Sequence, residues 1–293
     1  MPPKRHENEV DVDEALVRRL LRDQFAEWAD LPLAIVEPSG TDHTIFRLGN
    51  EMVVRMPIMD YVTTQADKEA RWLPVLAPHL PLEVPVPIAM GQPGAGYPFS
   101  WSIAPWIEGD RARPGNVDLR QAAIDLAGFI RALHAVDGTD GPGGGRHTGF
   151  RGKSIRPGAR QLHESAKRVE SYDVTAALDA WDDAVAADEW NGPPMWFHGD
   201  LSWNLIARNG RLVGVIDSGY GTGDPACDLA AGWMLFTGED RAAFFDAVGL
   251  DEASRVRARG WAVGPALTGL WYYRDVPHLL ANARTAIATA LSD

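Results

Sequence analysis

Cysteine is almost missing. Cys227 is the only one in 293 residues, which excludes an intramolecular disulfide framework and a cysteine-built zinc site. A reducing cytosol suits such a chain. Long apolar runs are also lacking: no stretch of about 18 apolar residues occurs, and the opening MPPKRHENEVDVDE has no apolar segment of a secretory signal. The expectation is a soluble, cytoplasmic protein whose residues 1–12 form a flexible tail. Positive charge is scarce, with 28 Lys and Arg against 40 Asp and Glu and a net charge of -12, which argues against a nucleic-acid partner. A cationic small molecule suits such a surface better. No G-x-x-x-x-G-K-[ST] motif is present, so a P-loop kinase is excluded. Gly219, Gly221 and Gly223 miss the G-x-G-x-x-G dinucleotide fingerprint by one residue, with no parallel βαβ pattern around them.

What is present is the make-up of a globular protein, 45% hydrophobic and 23% charged, enough for one large domain or two modest ones. Leu16, Val17, Leu20, Leu21, Phe25 and Trp28 recur at helical spacing behind Asp13 and Glu14, predicting a helix over 13–28. Short strands are predicted at 33–37, 43–48 and 51–56, the last two joined by a Gly49-Asn50 turn, giving an antiparallel sheet. A helix near 64–77 and strands near 86–90 and 99–104 complete this part. After residue 109 the pattern becomes helical. Leu119, Ala123, Leu126, Ile130 and Leu133 trace one stripe, and further helices are predicted near 159–170 and 174–188 and beyond Pro225. The Gly-rich run 138–145 reads as a mobile surface loop. MWFH (195–198) reads as a strand, and LIAR and RLVGVID flank Asn209-Gly210 as a hairpin. No internal repeat is visible, and the change of pattern sets one lobe boundary near 105–110.

The chemistry is concentrated between Trp196 and Trp233. Asp200 follows a short strand, Asn204 comes four residues later, and Asp217 ends the next hairpin, so hairpin geometry can bring three oxygen-bearing side chains to one end. One carboxylate can orient a hydroxyl while the other and the amide oxygen hold a metal. Magnesium takes few protein oxygens and completes its shell with phosphate oxygens. Phosphoryl transfer needs little more than positioning and charge neutralisation.

HGDL (198–201), Asn204, IDSG (216–219) and GDPACDLA (223–230) resemble the motifs of aminoglycoside phosphotransferases and related small-molecule kinases, relatives of the protein kinases. The resemblance covers about residues 13–250. It implies an α+β, protein-kinase-like two-lobed fold: a nucleotide-binding N-terminal lobe with an antiparallel sheet over 13–107, and a mainly helical catalytic and substrate-binding lobe over 108–293. It also implies Asp200 as catalytic base, Asn204 and Asp217 as Mg2+ ligands and His198 as a support of the loop. SGTDHTIFRLGNEMVVRMP (39–57) resembles the nucleotide-covering hairpin with its phosphate-contacting basic residue, here Arg55, and Glu69 matches the helix carboxylate that pairs with it. SIAPWIEG resembles the lobe-connecting hinge, whose backbone around Ala104 to Trp106 would meet the nucleotide base. The expected reaction moves the γ-phosphate of ATP or GTP to a hydroxyl of a small molecule of the aminoglycoside type. A macrolide, amino sugar or other hydroxylated metabolite is the alternative, and a nucleotide-binding pseudoenzyme a further one. No membrane partner is implied, and monomer or dimer is left open.

Two departures stand out. The family pattern places asparagine five residues after the aspartate, whereas here the interval is four. The basic residue is arginine rather than lysine, a planar fork instead of a point charge. Other residues carry structural readings: Asp224 and Asp228 as caps or anchors of the helix starting near Pro225, and Cys227 as a small helix hydrophobe. Trp261, Trp271, Tyr272 and Tyr273 fit either core or a substrate-lining surface.

Overall fold

In the computed structural model, which describes residues 9–37, 42–60, 63–145, 148–170, 172–217 and 219–292, the chain divides into two units. One is built from residues up to Pro78 together with Glu83–Glu108, the other from His79–Leu82 and the chain from Gly109 onward. Residues 1–8 of the expected tail, Ser39 to Thr41 of the nucleotide-covering segment and Ser218 of IDSG lie outside the described residues.

The first unit opens with helix α1 (Glu14–Gln24), capped by the Asp13 carboxylate, which accepts from the Leu16 N–H at 2.7 Å. Its apolar stripe of Leu16, Val17, Leu20 and Leu21 is buried. The helix stops four residues before the sequence pattern does, because Phe25 leaves helical geometry at φ -141° and ψ 65°. The next turn, Ala26–Trp28, is a 3-10 helix. Residues 9–12 also depart from the expected tail: the Val10 N–H donates to the Ile58 carbonyl at 3.0 Å, and Val12 is buried.

Strands β1 (Leu33–Ile35), β2 (His43–Leu48), β3 (Met52–Pro57), β4 (Ala89–Gly91) and β5 (Trp101–Pro105) form an antiparallel sheet in the order β1-β2-β3-β5-β4. Leu48 pairs with Met52, so the β2–β3 turn spans three residues rather than the predicted two. Helix α2 (Thr63–Leu76) packs on β5. Phe46, Leu48, Met56, Trp101 and Ile103 close the core beneath α1.

In the second unit, β6 (Asp110–Arg111), β8 (Leu205–Arg208) and β9 (Arg211–Val215) make a three-stranded sheet, and β7 (Met195–Phe197) pairs antiparallel with β10 (Gly221–Gly223). Arg208 pairs with Arg211 across Asn209-Gly210, a two-residue turn with φ of 53° and 79° at its centre, as this dipeptide predicts. The Gly-rich run expected as a mobile surface loop is instead laid against the β7–β10 ribbon. Thr222 donates its N–H to the Pro142 carbonyl and accepts from Gly144 N–H at 2.9 and 3.0 Å, and the Trp196 indole donates to Asp137 O at 2.9 Å. Glycine is used there for close approach, not for freedom.

Helices α3 (Leu119–His134), α4 (Ala159–Ala166), α5 (Thr175–Ala186), α6 (Ala226–Leu235), α7 (Gly238–Val248), α8 (Glu252–Tyr272) and α9 (Pro277–Leu291) make up the rest. The tightest association is α5, α6 and α9 around α8, with Trp181, Val263, Leu267 and Ile287 at its centre. Arg241, itself buried, donates to the carbonyls of Phe236, Thr289 and Ser292 and so ties the start of α7 to the end of α9. Trp261 packs against this core, Trp271 lies under the Arg168 guanidinium at 4.7 Å, and Tyr272 is exposed.

Candidate active site

The site of the second unit begins where buried β7 runs out. Trp196, Phe197 and His198 are inside, and Gly199 then turns the chain at φ 93°, a conformation open to glycine and costly for other residues. This turn brings Asp200 to the surface at the head of a buried loop. His198 is the post on which the loop hangs. Its Nδ1 accepts from the Asp200 N–H at 3.2 Å, its Nε2 reaches the Ile216 carbonyl at 3.1 Å, and its own carbonyl accepts from Gly219 N–H at 3.1 Å. That set fits the Nε2–H tautomer. It also ties the Asp200 segment to the segment carrying Asp217.

The interval from Asp200 to Asn204, one residue shorter than the family pattern, is closed by a single 3-10 turn over Leu201–Trp203. Asn204 is buried, and its Nδ2 donates to the Asp200 carbonyl at 2.8 Å and to the Asp200 carboxylate at 3.2 Å. The shorter loop therefore still delivers the amide to the aspartate. The Ile216 N–H donates to the Asn204 carbonyl at 2.9 Å, which sets Asn204 beside the residue preceding Asp217. Asp217, two residues past the end of β9, has φ 56°, a left-handed conformation that aspartate tolerates better than most side chains.

Asp228 has a different task from the cap the sequence suggests. From the first turn of α6 its two carboxylate oxygens accept from His198 N–H at 2.8 Å and Gly199 N–H at 2.7 Å. The carboxyl is 1% exposed, and burial pushes its pKa up to about 7 against the pull of those two donors and of Arg151. A partner 29 residues away leaves no trace in local spacing. Asp224 anchors the start of α6, accepting from Ala226 N–H at 3.0 Å, and it also holds the buried Arg257 guanidinium through contacts of 2.8 and 3.2 Å.

In the first unit, Arg55 on β3 and Glu69 on α2 form a buried ion pair, with the Gln65 amide donating to Glu69 at 3.2 Å. The hinge segment is more specific than its sequence. Ala104 pairs with Val53, and the Trp106 N–H donates to Glu51 O at 2.8 Å, so both residues turn their backbone groups toward β3. Ile103, by contrast, gives its carbonyl to Ile88 N–H on the other side. Strand alternation then directs the Pro105 carbonyl, at the end of β5, away from β3. The Trp106 ring lies under the Arg47 guanidinium at 4.3 Å.

The structure thus brings Asp200 and Asn204 into hydrogen-bond contact, ties the Asp217 segment to them, and joins Arg55 to Glu69. The two sets belong to different units. Among the described residues no cluster of three or more His, Cys, Asp or Glu side chains could hold a metal ion.

Similar architectures occur among solved structures. A GDP complex of a mutant aminoglycoside 2'-phosphotransferase-IIIa matches at TM-score 0.73 and 14% identity, over 95% of this chain and 97% of that one. The macrolide 2'-phosphotransferase type I matches at 0.63 and 22%, over 95% and 98%. The apoenzyme of macrolide 2'-phosphotransferase MphH from Brachybacterium faecium matches at 0.61 and 21%, over 96% and 99%. At these identities the likeness is one of fold, the mixed, kinase-like architecture of a sheet part and a helical part. None of the curated proteins compared with it matches the chain. The model of the phosphotransferase enzyme family matches residues 35–267, most of the length, and the chain belongs to that family.

Proposed function

We propose that this phosphotransferase moves the γ-phosphoryl group of ATP or GTP to a hydroxyl of a small molecule, of the aminoglycoside type in first place and a macrolide in second. The observation that carries the reading is the Asp200 loop: an exposed carboxylate flanked by the buried His198, Gly199 and Leu201 and steadied by the Asn204 amide. In the reaction the acceptor oxygen bonds to phosphorus, the bond to the β-phosphate oxygen breaks, and the hydroxyl proton passes to Asp200. Asn204 and His198 hold that carboxylate in place, which suits a loose transition state that rewards positioning. Arg55, kept in line by Glu69, would meet the nucleotide phosphates. The Pro105 carbonyl is the hinge group that alternation leaves for the base.

The donor set fits magnesium. Asn204 spends its Nδ2 on Asp200, so Oδ1 is the atom left for a metal, and Asp217 adds a carboxylate. Two hard oxygens leave room for phosphate and water, as magnesium prefers. Bound there, the ion would neutralise charge on the transferred phosphate. Asp217→Ala is expected to raise the magnesium concentration needed for half-maximal rate by about tenfold or more, with Asn204→Ala smaller. A magnesium titration of the rate that is unchanged in Asp217→Ala would remove Asp217 from the metal site.

The acceptor class is tested by offering aminoglycosides and macrolides with magnesium and either nucleotide, and detecting the product that has gained a phosphoryl group. A polycationic acceptor drawn by acidic side chains should show a KM that rises severalfold from low to physiological salt while kcat holds. A flat salt response would point to a neutral acceptor, and no product with either class would overturn the acceptor reading.

A further inference from the structure

Just beyond the Gly-rich run that lies along β7 and β10, one cation, Arg151, stands out by its position. Residues 148–152 form a tight turn. Phe150 and Arg151 donate their N–H groups to the Gly145 and Thr148 carbonyls, and the Thr148 hydroxyl bonds the carbonyls of Gly145 and Arg151. Gly152 fastens the turn under β7: a Cβ there would lie 2.2 Å from the Phe197 ring, and its carbonyl accepts from Asp224 N–H at 3.0 Å. So anchored, the turn lays the Arg151 side chain on the backbone of Gly199. A Cβ on Gly199 would stand 2.9 Å from Arg151 Cδ and 3.7 Å from its Nε. Gly199 is also the residue whose N–H enters the Asp228 carboxylate, and the next residue is Asp200. Gly199 brings no side chain, so the loop has no cation of its own.

Resting on the reading of Asp200 as the base, we infer that Arg151 is a positioning residue for phosphoryl transfer: its side chain packs on Gly199 and its charge balances Asp228, which together fix the peptide carrying Asp200. The physical need is plain. Asp228 is buried and carries or shares a negative charge while gripping two loop N–H groups, and an uncompensated charge there would favour letting the loop go. A cation alongside holds the carboxylate in its accepting form, and burial pulls the other way, pushing the same carboxyl up to about 7. The stem supplies the second half, since the loop backbone at Gly199 is open to nothing larger than hydrogen on that side. The Arg151 guanidinium makes one hydrogen bond among the described residues, to Thr148 O at 3.3 Å. Its local bonds therefore do not explain its place.

The test compares Arg151→Met, which keeps the stem and removes the charge, with Arg151→Lys, which keeps the charge. Turnover is followed as nucleoside diphosphate released from Mg-ATP or Mg-GTP. Arg151→Met is expected to lower kcat about 10- to 100-fold with nucleotide KM within about twofold, because a displaced base loses alignment and not substrate. Arg151→Lys should recover most of the loss, and the unfolding midpoint of both should stay near that of the parent. In an Asp200→Asn background, Arg151→Met should lower the rate no further, since it acts through Asp200. Equal rates for parent and Arg151→Met would overturn the inference. So would a raised nucleotide KM at unchanged kcat, which makes Arg151 a substrate contact, or a loss that adds to that of Asp200→Asn. If Asp200→Asn alone keeps full turnover, it is the assignment of the base that fails, and the comparison of Met with Lys still reads Arg151 by itself.

Discussion

Asp200→Asn is expected to lower kcat by about 10²- to 10⁴-fold while leaving nucleotide affinity and the unfolding midpoint close to those of the parent. The substitution is chosen because it keeps shape. The Asn204 amide donates to the Asp200 carboxylate and to its backbone carbonyl, and an asparagine oxygen can still accept the first of these bonds. Asp200 is exposed, so no buried charge is created or lost. What disappears is the acceptor for the hydroxyl proton. The rate is measured with saturating nucleotide and magnesium against the acceptor that gives product, and binding is followed separately with a fluorescent nucleotide. Full turnover in Asp200→Asn would remove the carboxylate from the chemistry. A fall in nucleotide affinity that matches the fall in kcat would make it part of the metal or phosphate site instead.

The parts of this molecule that were legible in the sequence are those decided by neighbours along the chain. Helical periodicity located α1 and α3, short apolar runs on either side of Gly49-Asn50 located β2 and β3, and Asn209-Gly210 gave its turn to the residue. Where a distant contact decides, the pattern fell short. Helix α1 ends at Gln24 although its apolar spacing continues to Trp28. The Gly49-Asn50 turn takes in Glu51, whose carbonyl is bound by the N–H of Trp106 just past β5. Strand β10 is Gly-Thr-Gly, with no strand propensity, and exists because β7 lies beside it. The Gly-rich run 138–145 reads as a mobile surface loop by composition, yet Thr222 takes up the Pro142 carbonyl and the Gly144 N–H, and Trp196 holds the adjoining Asp137 carbonyl.

The same division runs through the candidate site. HGDL, Asn204 and Asp217 form a local pattern and could be singled out at once. Asp228 stood out in GDPACDLA, but it reaches back 29 residues to the loop, and Arg151 reaches forward 48 to Gly199, so local spacing showed neither partner. In the segment that resembles a hinge, which carbonyl and N–H face outward depends on the register with β3. A shift of one residue exchanges them.

Glu69→Ala is expected to destabilise the protein by about 3–5 kcal/mol, because it leaves the buried Arg55 guanidinium without its carboxylate partner. The Gln65 amide loses an acceptor as well. Glu69→Gln should cost less, since it keeps a hydrogen-bond acceptor and loses only the charge. These effects are read from the midpoint of urea unfolding without nucleotide. They establish the pair as structural and say nothing yet of phosphate binding. The variant that separates the two roles is Arg55→Met combined with Glu69→Leu. Replacing both members of a buried ion pair by apolar side chains of similar size is often neutral for stability, so the double variant should unfold near the parent midpoint. If Arg55 meets the nucleotide phosphates, the nucleotide KM of this stable protein should remain raised about tenfold or more, the loss of a charge-assisted contact. A double variant that is stable and binds nucleotide like the parent would leave Arg55 and Glu69 as a clamp between β3 and α2, with no share in the reaction.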